Sequence, residues 1–93
     1  MRYRDLPAYR RSLKSLGDSK RLDSIHKAVS NLLDCFEKRT PPPAGLGLKP
    51  LRPPLWEIRA SREDRIVFSW KEDLIAFLAA GAHDDVKRLL SRF

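Results

Sequence analysis

The sequence has a single cysteine, Cys35, which excludes an internal disulfide and any cysteine-built zinc cluster. Its two histidines, His26 and His83, lie far apart and have no neighbours at metal-ligand spacing. Its four glycines form no phosphate-loop pattern, and no Ser-His-Asp signature is present. No apolar run approaches the roughly 20 residues of a membrane span. The opening Met1-Arg2-Tyr3-Arg4-Asp5 leads into no apolar core of the signal-peptide kind. The expectation is a cytoplasmic chain with no cofactor, no metal and no membrane association. Cys35 reads as a small packed hydrophobe on a helix.

What the chain does have is positive charge. Nineteen Lys and Arg stand against twelve Asp and Glu, a net of +7, with an isoelectric point near 10.1. That balance favours polyanionic partners, nucleic acid or the ribosome above all, or an acidic protein. The plainer reading is a solubilising surface. The N-terminal group Arg2, Arg4, Arg10, Arg11, Lys14, Lys20 and Arg21 reads first as a solvated face. Its functional alternative is a sequence-blind grip on a nucleic-acid backbone.

Ninety-three residues suit one domain, 1–93, with an apolar content of 42%. The first forty residues predict a helical hairpin. Leu6, Tyr9, Leu13 and Leu16 recur at helical spacing, Gly17 interrupts, and Asp18 or Ser19 can cap the next helix. Leu22, Ile25, Val29, Leu32, Leu33 and Phe36 then form an apolar stripe, with Lys20, Asp23, Lys27, Asn31 and Asp34 opposite. No strand is expected before the first helix. The segment 41–54 is a Pro-rich connector, read as a spacer, with Leu46 to Leu51 as a possible edge strand.

Residues 55–80 predict an antiparallel sheet. Leu55 to Arg59 and Arg65 to Trp70 alternate with period two, and Ser61-Arg62-Glu63 fits a short hairpin loop. Pairing Ala60 with Asp64 sets Ile58 against Ile66 and Trp56 against Phe68 on one face. Both tryptophans then belong to the core. The same register sets Arg59 against Arg65 on the other face, a destabilising like-charge pair that points to a bound anion, with phosphate the first candidate. Lys71-Glu72-Asp73 forms the next turn, and pairing Trp70 with Leu74 places Ala79 beside Arg65. The apolar run Leu74 to Ala80 suits a strand covered on both faces. His83 leaves the sheet at the Arg65 end. Asp84 or Asp85 can cap a last helix, 83–93, through Val86, Leu89, Leu90 and Phe93. His26 reads as a surface histidine. The fold class is α+β: a helical hairpin on a small antiparallel sheet of three to four strands, with a C-terminal helix.

The pattern Lys49-Pro50-Leu51, Leu55-Trp56-Glu57-Ile58-Arg59, Asp64 to Phe68, Leu74 to Gly81 and His83-Asp84-Asp85-Val86 resembles the RelE/ParE superfamily of bacterial toxin–antitoxin toxins. The resemblance implies a RelE-like fold and a cognate antitoxin partner. It also implies one of two activities. RelE-like toxins cut messenger RNA on the ribosome by attack of its own 2′-hydroxyl, with no metal needed; ParE-like toxins inhibit DNA gyrase. An inactive toxin-fold binding protein is a third reading. In the nuclease case Arg59 and Arg65 would hold phosphate, and His83 and Glu57 would move protons. Glu57 has a structural alternative, a salt bridge to Arg59. Lys49, Arg52, Arg62, Lys87 and Arg88 would bind RNA. The family's base-stacking aromatic near the C-terminus has no counterpart; Lys87, Arg88 and Leu89 occupy that region.

Overall fold

Helix boundaries follow local chemistry. The computed structural model describes residues 2–92. Helix α1, Pro7–Leu16, begins at a proline whose missing N–H costs nothing there, and it stops at Gly17 in the left-handed conformation (φ 63°). Helix α2, Ser19–Lys38, is capped by Asp18, whose carboxylate accepts from the N–H groups of Lys20 (2.9 Å) and Arg21 (3.4 Å). A 3₁₀ turn, Ala44–Leu46, follows the prolines.

Strands β1 (Arg2–Asp5), β2 (Lys49–Pro50), β3 (Leu55–Arg59), β4 (Asp64–Lys71) and β5 (Leu74–Ala82) form one sheet. Its order is β1-β5-β4-β3-β2, with β1 parallel to β5 and every other pair antiparallel. Helix α3, His83–Leu90, completes the fold.

The hairpin α1–α2 covers one sheet face. Ile25 and Leu32 of α2 and Tyr9 of α1 are buried with Ile58, Ile66, Phe68, Ile75 and Phe77. The Trp56 and Trp70 rings lie 5.4 Å apart and pack against this core, with Phe36 4.5 Å from Trp70. Helix α3 packs on β4 and β5. Val67 alternates with Ile66 and Phe68, so it faces the opposite side, where Ala79 and Val86 are also buried.

The α+β reading and the β3–β4 register hold; Ile58 pairs with Ile66, Trp56 with Phe68 and Arg59 with Arg65. Four details differ from expectation. First, the sheet has five strands and is mixed, because a strand does precede α1. All four residues of β1 are exposed, so no apolar alternation marks it. It is held instead by backbone bonds, Arg2 N–H to Asp73 O (2.7 Å) and Leu6 N–H to Phe77 O (3.0 Å), and by the Arg2–Asp73 ion pair. Second, the β4–β5 turn is Glu72-Asp73 alone, with Glu72 left-handed (φ 54°); Trp70 pairs with Ile75. Third, the register shifts by one further residue between Val67 and Phe68; added to the one-residue change at the turn, this sets Arg65 against Gly81 rather than Ala79. Fourth, α3 starts at His83 after Ala82, with no side-chain cap; Asp84 and Asp85 sit in its first turn, where the helix dipole favours them. It ends at Leu90, and Phe93 lies outside the described residues.

One ion pair joins the helical layer to the sheet. Asp64, first residue of β4, is 1% exposed. Arg21 grips it with a fork: Nε donates to Oδ2 (3.0 Å) and a terminal nitrogen to Oδ1 (2.6 Å). The hydrogen bond to Asp64 pushes the Arg21 pKa upward, so this guanidinium stays charged. Arg21 is thus a structural clamp and not part of a solvated basic face.

Arg21→Ala should lower stability by about 3 kcal/mol, because it strands a buried carboxylate. The low end of the range applies because the Arg21 side chain is 32% exposed. Urea unfolding measures this, and a loss below about 0.5 kcal/mol contradicts the clamp. Tyr9 gives a second test. Burial, with the nearby Asp5 charge, pushes its phenol up to about 12 from 10.0. The folded chain holds this proton more tightly, so the Tyr9 contribution is whole below pH 10 and lost as pH rises towards 12. Tyr9→Phe should flatten the fall of stability across that window; an unchanged profile contradicts it.

Candidate functional site

Strand alternation sends Glu57, Arg59, Arg65 and Val67 to the face away from the helical hairpin. The two arginines that face each other in the ladder resolve their repulsion by taking different surroundings. Arg65, with a side chain 17% exposed, turns to the β3–β4 loop. One terminal nitrogen donates to the carbonyls of Ser61 (3.2 Å), Arg62 (3.4 Å) and Asp64 (3.4 Å). Its Nε lies 3.8 Å from Glu57 Oε2. The Ser61 hydroxyl accepts from the N–H groups of Glu63 and Asp64, so the loop is tied from both sides.

Arg59 instead runs along Gly47. A Cβ added at Gly47 would stand 3.3 Å from Arg59 Cβ and 3.6 Å from its Nε. Gly47 is left-handed (φ 62°), so position 47 demands glycine for both backbone and space. Arg59 then lines a cleft with Ser24, Lys27 and Asn31 of α2.

Glu57 is buried and sits between two cations. Lys49 is its direct partner across β2–β3, with Nζ 3.8 Å from Oε2, and Arg65 is the other. The anticipated Glu57–Arg59 salt bridge is replaced by these two, because strand β2 brings Lys49 opposite. Glu57 and Lys49 also line a cleft of about 240 Å³ with His83, Val86 and Lys87 of α3. The structure therefore brings Glu57, Lys49, His83 and Lys87 to one cleft, with Arg65 joined to it through Glu57. It does not bring Arg59 there.

The remaining expected RNA contacts are dispersed. Arg52 is exposed and donates to the Leu90 carbonyl (3.3 Å), which ties the β2–β3 connection to the end of α3. Arg62 is exposed at the β3–β4 loop. Arg88 is exposed, 3.7 Å from Asp85 one helical turn back. His26 is exposed, as expected. Cys35 is a free, partly buried thiol on α2. Among the described residues, no group of three or more His, Cys, Asp or Glu side chains is placed to hold a metal ion. No helix among them is long and apolar enough to cross a membrane.

Chemically, the α3 cleft offers a buried carboxylate, an exposed imidazole and several cations. That set can hold a phosphodiester and move protons beside it. The sequence reading missed the Arg21–Asp64 clamp and the Arg59–Lys27 cleft. Asp64 was visible only as the residue opposite Ala60, and Lys27 only as part of a polar helix face.

No protein-family model and no curated protein sequence matches the chain. Solved structures do. YafQ from Escherichia coli strain BL21(DE3) aligns over 90% of this chain and 94% of its own, with a TM-score of 0.68 and 12% identity. A YoeB/ParE toxin from Agrobacterium tumefaciens aligns over 89% and 99%, with a TM-score of 0.66 and 18% identity. A chain of the E. coli DinJ-YafQ toxin-antitoxin complex aligns over 90% and 93%, with a TM-score of 0.67 and 14% identity. The chain thus has the RelE-like fold of these toxins, as the resemblance in its sequence implied.

Arg65 carries structural weight, which any activity measurement must take into account. Arg65→Ala should cost about 1.5–3 kcal/mol, since charged hydrogen bonds to three loop carbonyls are lost. Hydrogen exchange at Ser61 to Asp64 should rise with it. A variant as stable as the parent, with that loop still protected, contradicts the assignment.

Proposed function

We propose that this chain is the toxin of a toxin–antitoxin pair and an endoribonuclease acting on messenger RNA at the ribosome. The observation that carries the reading is the α3 cleft, where Glu57, Lys49, His83 and Lys87 converge on a RelE-like sheet. The comparison structures support the toxin role, and the DinJ-YafQ complex supports an antitoxin partner.

In the proposed reaction the RNA's own 2′-oxygen attacks the adjacent phosphorus. The P–O5′ bond breaks, leaving a 2′,3′-cyclic phosphate and a 5′-hydroxyl. Glu57 takes the 2′-hydroxyl proton, acting as general base once a phosphate draws Lys49 or Arg65 away from its carboxylate. His83, exposed at the first turn of α3, gives a proton to the departing 5′-oxygen. Lys49, Arg65 and Lys87 supply positive charge where the pentacoordinate phosphorus gathers negative charge. Arg59 has no part in bond breaking in this scheme, because it lines the neighbouring cleft. Arg52, Arg62 and Arg88 serve as outlying contacts to the RNA backbone.

Inducible expression followed by mapping of transcript 5′ ends tests the reading. New codon-phased breaks in translated messages are expected. His83→Gln should slow cleavage about 100-fold or more at unchanged thermal stability, and restore growth. Intact transcripts with a DNA-damage response would place the chain with gyrase inhibitors instead. Intact transcripts with normal growth would make it an inactive binding protein.

A further inference from the structure

We propose that the cleft between α2 and the 3₁₀ turn is a second phosphate site, which holds the RNA strand beside the scissile bond. This rests on the nuclease reading and adds Lys27, Asn31 and Ser24 to it.

The cleft measures about 400 Å³. Ser24, Lys27 and Asn31 line it from one stripe of α2, and Leu46 and Arg59 close the other side. It contains two cations, two neutral hydrogen-bonding side chains and no carboxylate. Among the described residues, no hydrogen bond or ion pair joins the Lys27 ammonium or the Arg59 guanidinium to another group. Arg21, Arg65 and Lys49 are all paired. Two unneutralised cations walling one cleft are suited to a shared anion.

The turn shapes the wall beside Arg59: Gly47 leaves room for the Arg59 stem, and the buried Leu46 anchors the turn that carries Gly47. Gly45 leaves open space at the rim. The Pro-rich connector, expected to be a mere spacer, thereby supplies a wall. Strand β3 links the two clefts: Glu57 faces one and Arg59, two residues on, the other. The nuclease reading on which this site rests makes RNA the occupant, with an acidic peptide as the alternative outcome of the test.

The test uses a 2′-O-methyl RNA oligonucleotide, which keeps the phosphates but cannot be cut, titrated against the full chain at several salt concentrations. Lys27→Ala should weaken binding several-fold and reduce the slope of log affinity against log salt by about 0.7. Lys27→Arg should restore both, and Asn31→Ala should weaken affinity with the slope unchanged. Lys27 and Asn31 are exposed on α2, so the fold tolerates these changes. Unaltered affinity and slope in Lys27→Ala and Lys27→Glu would overturn the proposal. So would variants that lose binding to a poly-glutamate peptide while binding RNA normally. Failure of the nuclease reading is distinguishable, since transcript mapping reads cleavage while this titration reads binding of an RNA that cannot be cut.

Discussion

The Arg21–Asp64 clamp is the constraint on which the rest of the structure depends. Asp64 closes the β3–β4 hairpin through its backbone and receives the forked guanidinium of α2 through its side chain. The next residue, Arg65, is tied to the same loop and to Glu57. A single residue thus takes part in three relations at once: its carboxylate joins the helical layer to the sheet, and its backbone carbonyl joins β3 to β4 and accepts from Arg65, the cation beside Glu57. Its burial is tolerable because the fork satisfies both oxygens. No buried side-chain N or O among the described residues lacks a partner.

The second organising fact is how the chain disposes of its excess positive charge. Facing arginines on paired strands would repel if both pointed straight out. Here Arg65 is absorbed by loop carbonyls and Glu57, and Arg59 is laid along Gly47 towards α2. The chain therefore carries two basic clefts instead of one, the first walled by α3 and the second by α2. The α3 cleft combines a carboxylate and an imidazole with its cations, the composition that proton transfer requires. The α2 cleft has cations and neutral polar groups only, the composition of a holding site.

Much of this was legible in the residues. The helix stripe through Ile25 and Leu32, the cap at Asp18, and the pairing of Ile58 with Ile66 follow from spacing and turn chemistry alone. So does the opposition of Arg59 and Arg65. Strand β1 was not legible, because Arg2-Tyr3-Arg4-Asp5 is exposed throughout and gains its conformation from the backbone of β5. The bulge that, with the one-residue change at the turn, moves Arg65 from Ala79 to Gly81 was hidden inside a uniformly apolar run, where period-two reading has nothing to count. In the site, the cleft shared by Glu57, Lys49 and His83 depends on β2, a two-residue strand between prolines and irregular chain. The destination of Arg59 depends on a glycine twelve residues earlier, a contact that no local pattern announces.

The central claim is that the α3 cleft cuts an RNA phosphodiester with the strand's own 2′-hydroxyl. The most direct measurement is the chemistry of the new ends formed when the purified chain is added to translating ribosomes. The account predicts 2′,3′-cyclic phosphates upstream and 5′-hydroxyls downstream, with both lost in Glu57→Gln and His83→Gln proteins that remain folded. Ends bearing 5′-phosphates, or cyclic phosphates formed equally well by those two variants, would contradict it.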